Sequence, residues 1–338
     1  MPQKGKNGNG KTRFDIITVG SATLDAFVDT ESKIMKEKSK KKSSREMIAY
    51  PLGSKLLIED LKFEIGGGGT NTAVAFSRMG LKTGWIGSIG DCENSRSIMM
   101  NMNKEDISFL GRRGTGRAGF SVVLDSKGND RTILTYKGEN DNLNIRDLKS
   151  KDITNTRWMY FCSMMGKSFN TQKRLATIAS KEGIKIAFNP SSYQAKLGMR
   201  RLRSILKNTH ILILNLEEAG LLTGEGNLKD MFRRIHDSGP SMVIITDGNK
   251  GAFCSDGIKT YKACPQRVRI KETTGAGDAF ASTFLGSFIR TGDVKTSLKM
   301  ATINAQSVIS DYGAKNVLLD WKTMMRREKR RPVKITEV

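Results

Sequence analysis

Residues 272–288 read Glu272-Thr273-Thr274-Gly275-Ala276-Gly277-Asp278-Ala279-Phe280 and continue as ASTFLGSF. Phe280, Phe284, Leu285 and Phe288 recur at helical spacing, so a helix is predicted whose N-terminus falls near 275–278. The first N–H groups of a helix lack partners within it and present donors and positive partial charge to an anion. Glycines at 275 and 277 remove the side chains that would keep an anion off the backbone. An aspartate in the first turn can act as an N-cap. Beside a phosphate cradle it can instead take the proton of an attacking hydroxyl.

Upstream of this stretch, strand and helix alternate. Apolar runs at 158–162, 185–188, 210–214 and 242–246 are separated by helical patterns at 170–182, 194–207 and 227–238. That spacing indicates βαβ units and a parallel sheet. Nearer the N-terminus, 14–20 reads as a buried strand ending in glycine, and 61–65 alternates as a half-exposed strand would. Gly66 to Gly69 break that strand, a helix is expected from Thr70 to Met79, and a short strand follows from Thr83. Residues 118–136 read as a hairpin turning through Gly128-Asn129-Asp130, part of a smaller β element beside the main sheet.

The chain has 338 residues, 57 Lys plus Arg against 34 Asp plus Glu, and a formal net charge of +23. It is long enough to bury a sizeable core without staples. Much of the charge sits in 1–13, 31–55 and 315–338, so the body is only mildly basic. These segments are read as a basic tail, a solvated insertion and a second basic tail, 326–338. They hold few interleaved aromatics, which argues against nucleic acid as partner. Cys92, Cys162, Cys254 and Cys264 are scattered without a CxxC pair, and His210 and His236 are the two histidines. Neither a zinc site nor a disulfide framework is expected. No apolar run approaches a membrane span, and the first residues, MPQKGKNGNGKTR, have no apolar core. A soluble, cytoplasmic chain is the expectation.

Two glycine-rich matches are decoys. Gly5-Lys6-Asn7-Gly8-Asn9-Gly10-Lys11-Thr12 fits a P-loop formally, but a strand follows it where a helix is needed. Gly114-Thr115-Gly116-Arg117-Ala118-Gly119 fits the dinucleotide pattern and likewise leads into a strand.

Four motifs in order carry a resemblance: Gly66-Gly67-Gly68-Gly69-Thr70-Asn71-Thr72-Ala73, Asn215-Leu216-Glu217-Glu218, Thr246-Asp247-Gly248-Asn249-Lys250-Gly251, and Thr274-Gly275-Ala276-Gly277-Asp278. Over roughly 14–318 the chain resembles the ribokinase-like (PfkB) carbohydrate kinases. The resemblance implies a three-layer α/β/α fold with a mostly parallel central sheet and a small β lid. It places one kinase domain over 14–325, with lid elements at about 28–65 and 118–136. It also implies transfer of the γ-phosphate of ATP to a hydroxyl of a sugar or sugar derivative.

By the same resemblance, Asp278 is the catalytic base, and the backbone of Gly275, Ala276 and Gly277 forms the anion hole. Asn215 and Glu218 hold Mg²⁺ and phosphates, with Glu218 acting through water, as suits a cation that keeps its hydration. Thr246, Gly248, Gly251 and Asn304 bind the nucleotide. Asp25, Gly66, Gly67 and Asn71 bind the acceptor, a carboxylate being able to accept two hydroxyl hydrogen bonds at once. Glu272 stands six residues before the base, where the family keeps an Asp for a monovalent cation such as K⁺. Residues 163–165 lack the acid that ribose-specific members carry there, which argues against ribose. A homodimer through the lid is implied as well. Two other readings stand beside this one: a nucleoside (adenosine-type) kinase of the same family, and a non-enzymatic polyanion-binding protein using the basic segments.

Overall fold

The computed structural model describes residues 13–338 apart from 31–32, 39–43, 126–130, 272 and 311–314. The P-loop decoy at 5–12, the hairpin turn at 128–130 and Glu272 therefore lie outside the described residues.

Parallel strands buried on both faces read as near-continuous apolar runs. Those runs form one ten-stranded sheet, in the order Lys334–Glu337, Thr260–Cys264, Ala252–Ser255, Met242–Thr246, Ile211–Asn215, Lys185–Asn189, Thr156–Cys162, Phe14–Val19, Thr83–Ile86, Ser108–Phe109. From Met242–Thr246 to Ser108–Phe109 every pairing is parallel; the three strands at the other end join antiparallel.

Because side chains alternate along a strand, each strand feeds two cores. Met159, Phe161, Leu212, Leu214, Val243 and Ile245 point to one face, under helices Gly166–Lys181, Gly198–Leu206, Leu216–Thr223 and Leu228–Asp237. Trp158, Tyr160, Ile211, Ile213 and Ile244 point to the other, under Ala276–Thr291, Val294–Ile309 and the Phe76 end of Gly68–Arg78. The expected three layers are thus present.

Beside the main sheet lies a four-stranded sheet in the order Arg131–Tyr136, Gly119–Asp125, Thr23–Thr30, Ile58–Gly66. Its strand Thr23–Thr30 has no counterpart in the sequence reading, because the alternation begun at Leu24-Asp25-Ala26 is broken by the consecutive apolar residues Ala26-Phe27-Val28. The register puts Leu24, Ala26, Phe63, Phe120, Val122 and Leu134 on one face and Asp25 on the other. The outer strand Ile58–Gly66 is exposed over most of its length rather than half-exposed. Within the basic insertion, Lys33–Lys38 pairs antiparallel with Ser44–Ala49.

The C-terminal segment corrects an expectation. Residues 326–338 are not a tail. Helix Trp321–Arg330 buries Met324, its N-terminus is capped by Asp320, and Lys334–Glu337 pairs with Thr260–Cys264. The run of basic residues hid an amphipathic pattern in which Met324 and Val333 supply the buried side.

Candidate active site

The helix Ala276–Thr291 starts where its glycines suggest. Gly275 has φ of +78° and sits at the N-cap, a conformation that favours glycine. A side chain at Gly277 would meet open space, so the first turn offers its backbone to a ligand. In the same loop the hydroxyl oxygen of Thr274 is buried without a hydrogen-bond partner among the described residues. Asp278 Oδ2 accepts a hydrogen bond of 3.0 Å from Asn71 Nδ2. That single bond joins the first glycine motif to the last, 207 residues apart in the chain.

Around Asn71 the chain is crowded. Gly67 has φ of +95°, and a methyl group there would press on the Ser21 carbonyl at 2.6 Å. A methyl group at Gly66 would collide with the Asp25 carboxylate. Asp25, on Thr23–Thr30, faces this point; its Oδ1 and Asn71 Oδ1 are both buried without partners among the described residues. Burial raises the Asp25 pKa, and hydrogen bonds from Thr23 and Ser121 pull it back. Burial also raises Asp278, with the Asn71 bond and the Lys315 ammonium opposing.

Lys315 is a residue the sequence reading missed. Its ammonium is buried without a hydrogen-bond partner among the described residues, and burial lowers its pKa to about 8 while Asp25, Glu64 and Glu105 hold it up. Only its sequence neighbours Gly313-Ala314 hinted at a turn; its burial is a tertiary fact.

Asn215 ends the strand Ile211–Asn215 and caps the next helix. Glu218 N donates to Asn215 Oδ1 at 2.8 Å and Asn215 N to Glu218 Oε2 at 3.1 Å, a capping box. Both residues also line a cavity of about 410 Å³ together with Gly68, Cys162, Gly275, Gly277 and Asp278. Burial, with Glu217 and Asp278 adding to it, raises the Glu218 carboxyl to about 7. A local excess of carboxylates of this kind fits a cation.

Next to this cavity, and sharing Thr246, Thr273 and Gly277 with it, runs a largely apolar groove of about 540 Å³. Gly248 and Gly251 line it, as do Val268, Ile270, Phe280 and Ile309. Gly251 has φ of +102°, and its carbonyl accepts from Asp247 N at 2.7 Å. Asn304 is not brought here. It is fully buried, donating from Nδ2 to Thr283 Oγ1 at 2.7 Å and accepting from Leu319 N at 2.9 Å. It ties two helices and a loop, and its neighbours Ala305 and Gln306 line the groove instead.

The four sequence motifs therefore converge on one cleft, and a family model described as pfkB family carbohydrate kinase matches residues 41–321. The chain belongs to that family. It is a carbohydrate kinase, a phosphotransferase with an alcohol group as acceptor. An uncharacterized sugar kinase of Archaeoglobus fulgidus is 29% identical over 252 residues, covering 72% of this chain and 98% of that protein. A deoxyribokinase of Salmonella typhi is 23% identical, covering 90% of this chain and 95% of its own. The structure of Arabidopsis thaliana ribokinase complexed with ribose and ATP superposes with a TM-score of 0.76 at 18% identity, covering 93% of this chain and 98% of that one. No described helix of the pfkB chain is long and apolar enough to cross a membrane.

Proposed function

We propose that this pfkB kinase transfers the γ-phosphate of ATP to a hydroxyl of a sugar or sugar derivative, with Asp278 as base. The observation that carries the reading is the Asn71–Asp278 hydrogen bond, which joins Asp278 to the other glycine motif. The acceptor hydroxyl gives its proton to Asp278 as its oxygen forms a bond to the γ-phosphorus. The bond from that phosphorus to the bridging oxygen breaks, and ADP leaves with the electron pair. The N–H groups of Gly275, Ala276 and Gly277 receive the transferring phosphoryl group, positioning and charge stabilisation being most of what this chemistry needs.

Thr246, Gly248 and Gly251 serve the nucleotide along the apolar groove, with Asn304 set aside for its buried bonds. Asn215 and Glu218 are assigned to Mg²⁺, which would offset phosphate charge; the raised Glu218 carboxyl supports this. Asp25, Gly66, Gly67 and Asn71 are assigned to the acceptor. Glu272 and a K⁺ site fall outside the described residues. The kinase domain takes in the C-terminal helix and strand, and two copies are proposed to pair through the apolar lid face that bears Phe63 and Leu134, exposed by 57% each.

The test is Asp278→Asn. Turnover in an ADP-release assay should fall on the order of 10³-fold while ATP binding by calorimetry persists. Near-normal turnover would remove Asp278 from the base role.

A further inference from the structure

One end of the cavity is lined by residues to which the proposed transfer gives no part. Lys137 follows the lid strand Arg131–Tyr136, and with Asp141 and Tyr193 it lines the same cavity as Gly68, Cys162 and Asp278. Among the described residues lining that cavity, Lys137 is the one cation. Its Nζ lies 5.4 Å from the centroid of the Tyr193 ring. It forms no ion pair among the described residues, although Asp141 is close enough for Lys137 to lower its pKa against the effect of burial.

An aromatic face attracts an ammonium without neutralising it. The charge on Lys137 is therefore held in place and left available to a ligand. The 59% exposed Tyr193 ring, with a cation over it, is poorly suited as a stacking platform for a nucleobase. Apart from the Asp141 carboxyl beside Lys137, the rest of this end is neutral: Ser191 Oγ donates to Ser163 Oγ at 2.7 Å, and Asn189 Nδ2 is bound to the Ile213 carbonyl at 2.8 Å. At the other end stand Asp278 and Glu218, both carboxyl groups. An anionic molecule entering this cavity meets one attractive charge, and it is Lys137.

We infer that Lys137 is a specificity residue that holds an anionic group of the acceptor, and that the acceptor is an acidic sugar derivative carrying a carboxylate or a phosphate. Its reacting hydroxyl lies toward Asp278 and its anion toward Lys137. The inference rests on the proposed kinase reaction and adds the charge of the substrate.

The full chain is assayed for ADP release with Mg-ATP against gluconate, ribose 5-phosphate and fructose 6-phosphate, with ribose, fructose and inosine as neutral counterparts. An anionic acceptor should show the highest kcat/KM, and whether gluconate or a phosphate leads separates the two anions. Lys137→Met should lower that value roughly 10- to 100-fold, as loss of a charged hydrogen bond does, through the KM for acceptor. The KM for ATP should stay within about twofold. Lys137→Arg should restore most of the loss, and Asp141→Asn should not weaken the anionic acceptor. A neutral acceptor preferred by wild type overturns the inference. So does a Lys137→Met variant that raises the KM for ATP instead, since the charge then serves the nucleotide. Should no acceptor turn over, calorimetry with gluconate and ribose 5-phosphate decides: binding lost in Lys137→Met supports the inference, and no binding to wild type overturns it. Failure of the kinase reading has a different mark, equal ADP release by wild type and Asp278→Asn.

Discussion

Lys315 and Asp278 show how one buried charge sets the behaviour of another. The Lys315 ammonium lowers the pKa of both Asp25 and Asp278, each raised by burial. Lys315→Met removes that opposition, so the acid limb of kcat/KM should move to higher pH. An unmoved limb would mean that the charge does not reach the base. The same variant has a stability signature. Lys315 titrates at about 8 in the native state against 10.5 in the unfolded chain. Between those values the unfolded state binds more protons, so wild-type stability should rise with pH there. In Lys315→Met that rise should vanish, as thermal melts from pH 7.5 to 10.5 would read. Gly66 illustrates a simpler residue-scale constraint: any side chain there meets the Asp25 carboxylate, so glycine is required by the neighbour and not by a turn.

At the scale of elements, the capping box at Asn215 and Glu218 serves structure and site with the same atoms. The box orients the Glu218 carboxyl toward the cavity, while burial keeps its pKa near 7. The helix Trp321–Arg330 is the element whose reading failed, since basic residues dominate it and only Met324 is fully buried. Met324→Ala should cost about 2–5 kcal/mol, as buried methionine truncations do, read as a lower urea midpoint. A cost below about 0.5 kcal/mol would restore the view of this end as a solvated tail.

On the scale of the whole molecule, the cavity is lined by the body and reaches the lid where Lys137 follows the strand Arg131–Tyr136. By register Asp25 lies on one face of the lid sheet and Phe63 and Leu134 on the other, where both are exposed. Exposed apolar faces of this kind mark contact surfaces. Sedimentation of wild type should give a dimer, and replacing Leu61 and Phe63 together by Ser should give a monomer. A monomeric wild type would end the proposal of pairing through the lid. The glycines at 114 and 116 find their reason at this scale: Gly116 N donates to Glu139 Oε1 at 3.1 Å, and a side chain at either position would meet that buried carboxylate.

The alternation of apolar runs with helical patterns was enough to determine the parallel sheet, because strands buried on both faces leave no other composition. Glycines at 66–69, and at 275 and 277, were enough to locate the two loops that meet at Asp278, since close backbone approach excludes side chains. What the tertiary structure alone decided is which isolated residues join them. Lys137, Tyr193 and Lys315 belong to no motif, and Asn304 left the proposed nucleotide set because Thr283 and the Leu319 N–H occupy its amide. Local sequence records periodicity and backbone freedom. Burial and long-range partners arise only when distant segments pack, and those decide which polar groups remain free to act.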